Sequence, residues 1–255
     1  MNLAISNTVS NAVVTSDDDP SFDILDLIPF TFNSKYVSGG VSVTFSFTLT
    51  AGDNFTYVGL AGHNLGTLGA TLSITNHDVV DVSSFIPLDD RTLMFIIPPR
   101  SGGANDLIIS ITKGSSQKVI INHVAAGLDT DLTGTTSSNQ VVTNDYQAGF
   151  PRIPMALQRR LRTAVTDQGA PVASLIRTVG LKAILNINNM PTAFASSDLL
   201  VFQRFWVENG FFIQNDSSSN QSYLVFNFVP EMPKAHGSTR ELVNVAYSFT
   251  AYNGQ

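Results

Sequence analysis

The chain has 255 residues, enough for one large or two ordinary domains, and carries 43% apolar but only 13% charged residues, about half the usual charged share of roughly 25%. Its net charge is −6, with the excess in the first half: residues 1–125 hold 5 Lys/Arg against 11 Asp/Glu, whereas 126–255 hold 9 against 9. An acidic surface repels phosphate and argues against nucleic acid, zero cysteines exclude disulfides and thiolate chemistry, and no apolar run reaches the roughly 18 residues of a membrane span.

Met1 to Asn7 lacks a basic n-region and an apolar h-region, so no secretory signal is expected and the protein is expected to be made in a cytoplasm. In Val41–Thr50, five apolar residues alternate with five hydroxyl residues, the period of a strand with one face on a core. Thr56–Ala61 reads as a buried strand, Ala70–Thr75 alternates again, and Leu93–Ile97 is a continuous apolar run closed by Pro98 and Pro99. Asp106–Thr112 and Lys118–Val124 come next, with Lys113-Gly114-Ser115-Ser116 between them as a hairpin-like turn.

Gly127 to Gly149 is polar and unpatterned, as in a linker. Strands resume at Leu157–Thr166 and Ser174–Ile187, joined by a turn at Asp167–Pro171. Ser196-Ser197-Asp198 caps a segment with Leu199, Phe202 and Trp206 at helical spacing and Asn209-Gly210 as its stop, so a short helix is expected near 197–209. Phe211–Ile213, Tyr223–Val229 and Leu242–Tyr252 complete the strands. The fold class expected is all-β, with two β-sandwich or jelly-roll domains, the second carrying one short helix. Their bounds are 1–127 and 151–255, with a polar linker over 128–150.

The first half resembles a galactose-binding-like, discoidin-type domain of the kind found in phage virion proteins. The resemblance rests on Asn11–Thr15, Pro20–Ile28, Phe32-Asn33-Ser34 and above all Tyr57–Gly66 leading into Gly69–Ile74. Phe32 stands where that family usually has a tryptophan. Asp198–Phe205 and Gly210–Asp216 are similar to the region on the C-terminal side of this domain in such phage proteins. The resemblance implies a structural or adaptor component of a tailed-phage virion, at tail, neck or tail tip, repeated around a symmetry axis and contacting other virion proteins and copies of itself. A carbohydrate-binding module touching a host glycan is the alternative; it requires exposed aromatics around Phe32, Tyr36 and Phe55.

His63 and Asn64, between Gly62 and Gly66, are the candidate ligand-binding residues, in a turn that needs unusual dihedrals. Their plainer reading is a loop tied to its neighbours by hydrogen bonds; a glycan or metal contact is the other. Arg159, Arg160 and Arg162 form the one basic cluster, a candidate assembly interface, since no aromatics for base stacking are interleaved with them. The histidines at 63, 77, 123 and 236 form no pair with metal-ligand spacing, and Asp17-Asp18-Asp19 reads as a solvated turn, so neither metal nor cofactor is expected. Asp89-Asp90-Arg91 reads as an exposed turn, and Trp206 as core. No nucleophile elbow, phosphate loop or selected acid pair is present, so an enzyme is not expected.

Overall fold

The computed structural model describes residues 2–4, 11–14, 36–38, 42–48, 55–100, 106–113, 117–131, 156–165, 171–192, 210–214, 219–230, 234–235, 242–252 and 254. The chain is all-β. It opens with β1 (Asn2–Ala4), β2 (Asn11–Val14), β3 (Tyr36–Val37) and β4 (Ser42–Thr48). Next come β5 (Tyr57–Ala61), β6 (Thr71–Asn76), β7 (Val79–Phe85), β8 (Leu93–Ile96), β9 (Asp106–Thr112), β10 (Ile120–Ile121) and β11 (His123–Gly127). The remainder is β12 (Asp129–Asp131), β13 (Ala156–Val165), β14 (Pro171–Pro191), β15 (Phe211–Gln214), β16 (Tyr223–Pro230), β17 (Lys234–Ala235) and β18 (Leu242–Tyr252). The helix expected near 197–209 falls outside the described residues, as do Trp206, His236, Phe32 and the Asp17–Asp19 run.

Two sheets form the first sandwich. One runs β2-β4-β9-β6-β7 and the other β11-β5-β8, with the short pair β10-β3 beside them. Their facing side chains make one core: Val43, Leu72, Ile74, Leu107, Ile109 and Ile111 from the first sheet meet Val58, Leu60, Leu93, Phe95, Val124 and Ala126 from the second. The period-2 pattern of β6 explains this directly, because Leu72, Ile74 and Asn76 are buried while Thr71, Ser73 and Thr75 are half-buried.

The hairpin expected between Asp106–Thr112 and Lys118–Val124 is not seen in the strand pairing: neither β10 nor β11 pairs with β9 among the described residues. Strand β9 pairs with β4 and β6, whereas β10 pairs with β3 and β11 with β5, so the chain leaves one sheet and enters the other. The two apolar runs on either side of it are opposite walls of the core rather than neighbours in a ladder.

The strands of the second half form one eight-stranded sheet, ordered β12-β1-β15-β16-β18-β14-β13, with β17 on β18. Two of its members come from outside 151–255: β1, at the start of the chain, pairs with β12 and β15, and β12 lies within the stretch read as a polar linker. Near β15 this sheet covers the outer face of β11-β5-β8. Phe212 packs on Gly59, stacks on His123 at 5.8 Å and tilts against Tyr57 at 6.3 Å. Backbone bonds from Met94 N–H to the Asn220 carbonyl and from Ser222 N–H to the Thr92 carbonyl stitch the layers together. Both faces of β5 and β8 are therefore covered, which is why Tyr57–Ala61 and Leu93–Phe95 are buried without alternation.

Candidate functional site

The strand directions bring several loops to one end of the first sandwich. Thr112, the last residue of β9, pairs with Thr71 at the start of β6 and with Ser42 at the start of β4, and Phe85 at the end of β7 pairs with Leu72. The turn 62–70, the loop 86–92, Lys113 and the segment 117–119 accordingly meet there.

The turn is held by its own backbone. Leu68 N–H bonds the Asn64 carbonyl, Gly69 N–H the Gly66 carbonyl and Ala70 N–H the Leu65 carbonyl, at 3.0–3.1 Å. Gly62 has the positive φ of 64° that the sequence led one to expect beside His63. Gly66 is needed for a different reason: the Asp89 backbone crosses so near that a side chain would collide with it.

Asn64 ties the turn to the neighbouring segment. Its N–H donates to the Ile120 carbonyl at 3.3 Å, its Nδ2 to the Lys118 carbonyl at 2.9 Å, and its Oδ1 accepts the Ile120 N–H at 2.9 Å. His63 is 4% exposed; its Nδ1 accepts the Leu65 N–H at 3.4 Å, which leaves the ring proton on Nε2. Among the described residues Nε2 has no partner in hydrogen-bonding geometry, although the Arg91 backbone lies near enough to favour the protonated ring. Burial dominates and lowers the His63 pKa to about 4, so the imidazole is neutral at pH 7.

Asp89, Asp90 and Arg91, in the loop 86–92, are half-buried and bonded, not the exposed turn that their sequence suggests. Asp90 accepts from the Thr67 N–H at 2.8 Å and from the Thr67 hydroxyl at 2.6 Å. Asp89 accepts the Arg91 N–H at 3.0 Å and Nε at 2.7 Å, and the Arg91 guanidinium completes an ion pair with it. The hydrogen bond with Arg91 holds the Asp89 carboxyl below the usual carboxylate range and raises Arg91 in turn. The backbone of Gly254 packs against Asp90 from the other side. Beside these polar groups two aliphatic side chains stand in solvent, Ile86 at 57% and Leu88 at 92% exposure.

Of the sequence candidates, the structure brings His63 and Asn64 to this loop end. It places Arg159, Arg160 and Arg162 on β13, where Arg160 lies opposite Arg177 and Arg162 opposite Leu175. Among the described residues β13 is the last strand of its sheet. Tyr36 and Phe55, expected to be exposed around a sugar, are instead fully buried in the core. Phe55 also stacks on the His77 ring at 5.9 Å. Thr67 was not singled out by sequence, its one signal being its place in the Gly-rich turn, and Asp90 was read only as part of the exposed turn Asp89-Asp90-Arg91.

Among the described residues no helix is long and apolar enough to cross a membrane, and no three His, Asp or Glu side chains converge on a point that could hold a metal ion.

No family model matches the chain, and no curated protein sequence matches it. Among solved structures, the chain is similar to chitosan-binding module 1 of a chitosanase/glucanase from Paenibacillus sp. IK-5, at 12% identity over 48% of this chain and 98% of that one, with a TM-score of 0.39. It is similar to a pectin-binding carbohydrate-binding module at 11% identity, over 48% of this chain and 91% of that one, with a TM-score of 0.38. A truncated AlyQ with CBM32 and alginate lyase domains aligns over 92% of this chain and 60% of its own length, at 13% identity and a TM-score of 0.35.

Proposed function

We propose that the chain is a non-catalytic recognition protein that binds a glycan through the loop end of its first sandwich. The observation that carries this reading is the construction of the loop 86–92. It is clamped between Gly66, Thr67 and Gly254, so that polar groups able to bond sugar hydroxyls stand in fixed positions beside the exposed Ile86 and Leu88. A surface ordered before binding avoids the entropy loss of ordering it on binding. An aliphatic patch next to hydrogen-bonding groups suits a ring that has both C–H faces and hydroxyls. The resemblance of Tyr57–Gly66 and Gly69–Ile74 to galactose-binding-like domains adds to it. With Tyr36 and Phe55 in the core, aliphatic rather than aromatic side chains form the apolar part of the surface.

The test is calorimetric titration of the whole chain with neutral galactose- and glucose-based oligosaccharides, alongside Leu88→Asp and Thr67→Val. Saturable binding weakened by either substitution supports the reading; no binding to any glycan sinks it.

A second reading is a structural or adaptor component of a tailed-phage virion, assembled in the host cytoplasm and packed against copies of itself. It is favoured by β13, whose outer edge pairs with no described strand and which carries Arg159, Arg160 and Arg162. Light scattering on the purified chain decides its assembly part: symmetric oligomers lost on Arg160→Glu support it, and a monomer at high concentration counts against it.

A further inference from the structure

Strand β14 is 21 residues long, whereas its neighbour β18 has 11. The pairing between them runs from Pro191 only as far as Leu181, opposite Ala251, and β18 ends one residue later at Tyr252. Beyond that point β14 pairs, among the described residues, with β13 alone, and β13 pairs with nothing but β14. The sheet therefore continues as a two-stranded ribbon, Arg159–Val165 against Pro171–Thr178, which at about 3.4 Å per residue runs roughly 24 Å past its third strand. A bulge between Gln158 and Arg159 falls at this boundary, and bulges bend a strand and sharpen its twist.

Register sets what the ribbon carries. Arg160 lies directly opposite Arg177, and Arg162, two residues on, lies opposite Leu175. Residues in register share a face, as do residues two apart on one strand, so Arg160, Arg162 and Arg177 belong to the same face of the ribbon. Like charges directly opposite one another destabilise a strand pair, and a two-stranded ribbon is marginal in water by itself. The ribbon has no acid of its own to offset them. Asp167, in the connecting turn, is the one acid in residues 156–191, against Arg159, Arg160, Arg162, Arg177 and Lys182. A third element of opposite charge would add what this stretch lacks on both counts.

The remainder of the chain has that charge. Outside 156–191 it holds 9 Lys/Arg against 19 Asp/Glu, and the excess is concentrated in residues 1–125, with 5 against 11. We infer that the ribbon of β13 and β14, with Arg160 opposite Arg177 and Arg162 on the same face, docks on the acidic first half of a second copy of this chain. This rests on the assembly reading given above and names the two surfaces that meet. Two ribbons face to face would set arginine against arginine, so the contact is ribbon to body. Nucleic acid is the poorer occupant, because the ribbon has no aromatic residue on which a base could stack and the rest of the chain repels phosphate.

The experiment is sedimentation velocity of the whole chain across a salt series, beside a variant carrying Arg160→Glu, Arg162→Glu and Arg177→Glu. The wild-type chain is expected to self-associate and to lose about tenfold or more in affinity between low salt and about 0.5 M NaCl, as a screened charge contact must. The variant is expected to sediment as a monomer, yet to bind fluorescently labelled wild-type chain, because its acidic first half is intact and accepts a wild-type ribbon. A variant that associates as the wild type does overturns the inference and leaves the assembly reading standing. A variant that neither associates nor binds wild-type chain assigns the contact to ribbon against ribbon and also overturns it. A wild-type chain that is monomeric at every salt concentration overturns both, and if that monomer binds a single-stranded oligonucleotide through the same arginines, the partner is a polyanion. Should the glutamate variant fail to fold, Arg160→Gln, Arg162→Gln and Arg177→Gln together take its place and are read in the same way.

Discussion

The ring of Phe212 lies against Gly59 so closely that a Cβ on residue 59 would sit 2.6 Å from Cε2. The contact joins a strand of the first sandwich to a strand of the eight-stranded sheet, and it reserves position 59 for a residue without a side chain. Gly59→Ala is expected to destabilise the chain by about 1–3 kcal/mol through overpacking, read from chemical denaturation. Phe212→Ala alone is expected to cost about 3–5 kcal/mol as the buried ring is lost. In the double variant the alanine methyl occupies vacated space, so the two costs should fall short of their sum. Strict additivity would show that the ring and the glycine are not in contact.

His63 makes stability depend on pH. Its folded pKa is lowered to about 4 from the ordinary 6.5, so below pH 6.5 the unfolded chain takes up a proton that the folded chain refuses. The contribution is fully present above about pH 6.5 and is lost as pH falls towards 4, by about 3 kcal/mol in all. Asp89, with its pKa held down by Arg91, loses its own contribution only further into acid. Urea midpoints measured from pH 7.5 to 4 should fall in this window for the native chain and flatten for His63→Leu. An unchanged slope in the variant would place the titration elsewhere.

Asn64 bonds the segment 118–120 three times, twice through its side chain. Asn64→Ala leaves the Lys118 carbonyl and the Ile120 N–H without these partners, at a cost of about 1–3 kcal/mol. Hydrogen exchange at Ile120 should accelerate in the variant while exchange at Ile109, on β9, tracks only the global loss of stability. Uniform acceleration at both sites would mean that Asn64 holds no local structure of its own.

How far the sequence foretold this arrangement depends on the range of the interactions. The alternation in Val41–Thr50 and Ala70–Thr75 marks strands correctly, because facing one core is a local periodic property. Thr56–Ala61 reads as a buried strand and Leu93–Ile97 as a continuous apolar run, yet nothing local in either names Phe212, far along the chain, as the cover. Lys113–Ser116 has the composition of a reversal, but composition does not say whether the chain returns beside the same strand or crosses to the opposite sheet. Asp89-Asp90-Arg91 shows the limit most plainly. Acidic turns are usually solvated, and what binds this one in place is Thr67, a residue with no distinguishing pattern.

The first half should not behave as an autonomous module when cut out after residue 127. The face of β11-β5-β8 that carries Tyr57, Gly59, His123 and Ala125 is covered by β15, and Thr92 and Met94 on β8's side bond to residues 220 and 222. Truncation would also leave β1 without its partners β12 and β15. A fragment of residues 1–127 would therefore expose a contiguous apolar face that the intact chain hides, the kind of surface that drives association. It is expected to bind a hydrophobic dye strongly and to sediment as oligomers at concentrations where the whole chain does not. A fragment that stayed monomeric, bound no dye and melted within about 4 °C of the whole chain, the shift of roughly 1 kcal/mol or less, would show that the covering sheet contributes little to the sandwich beneath it.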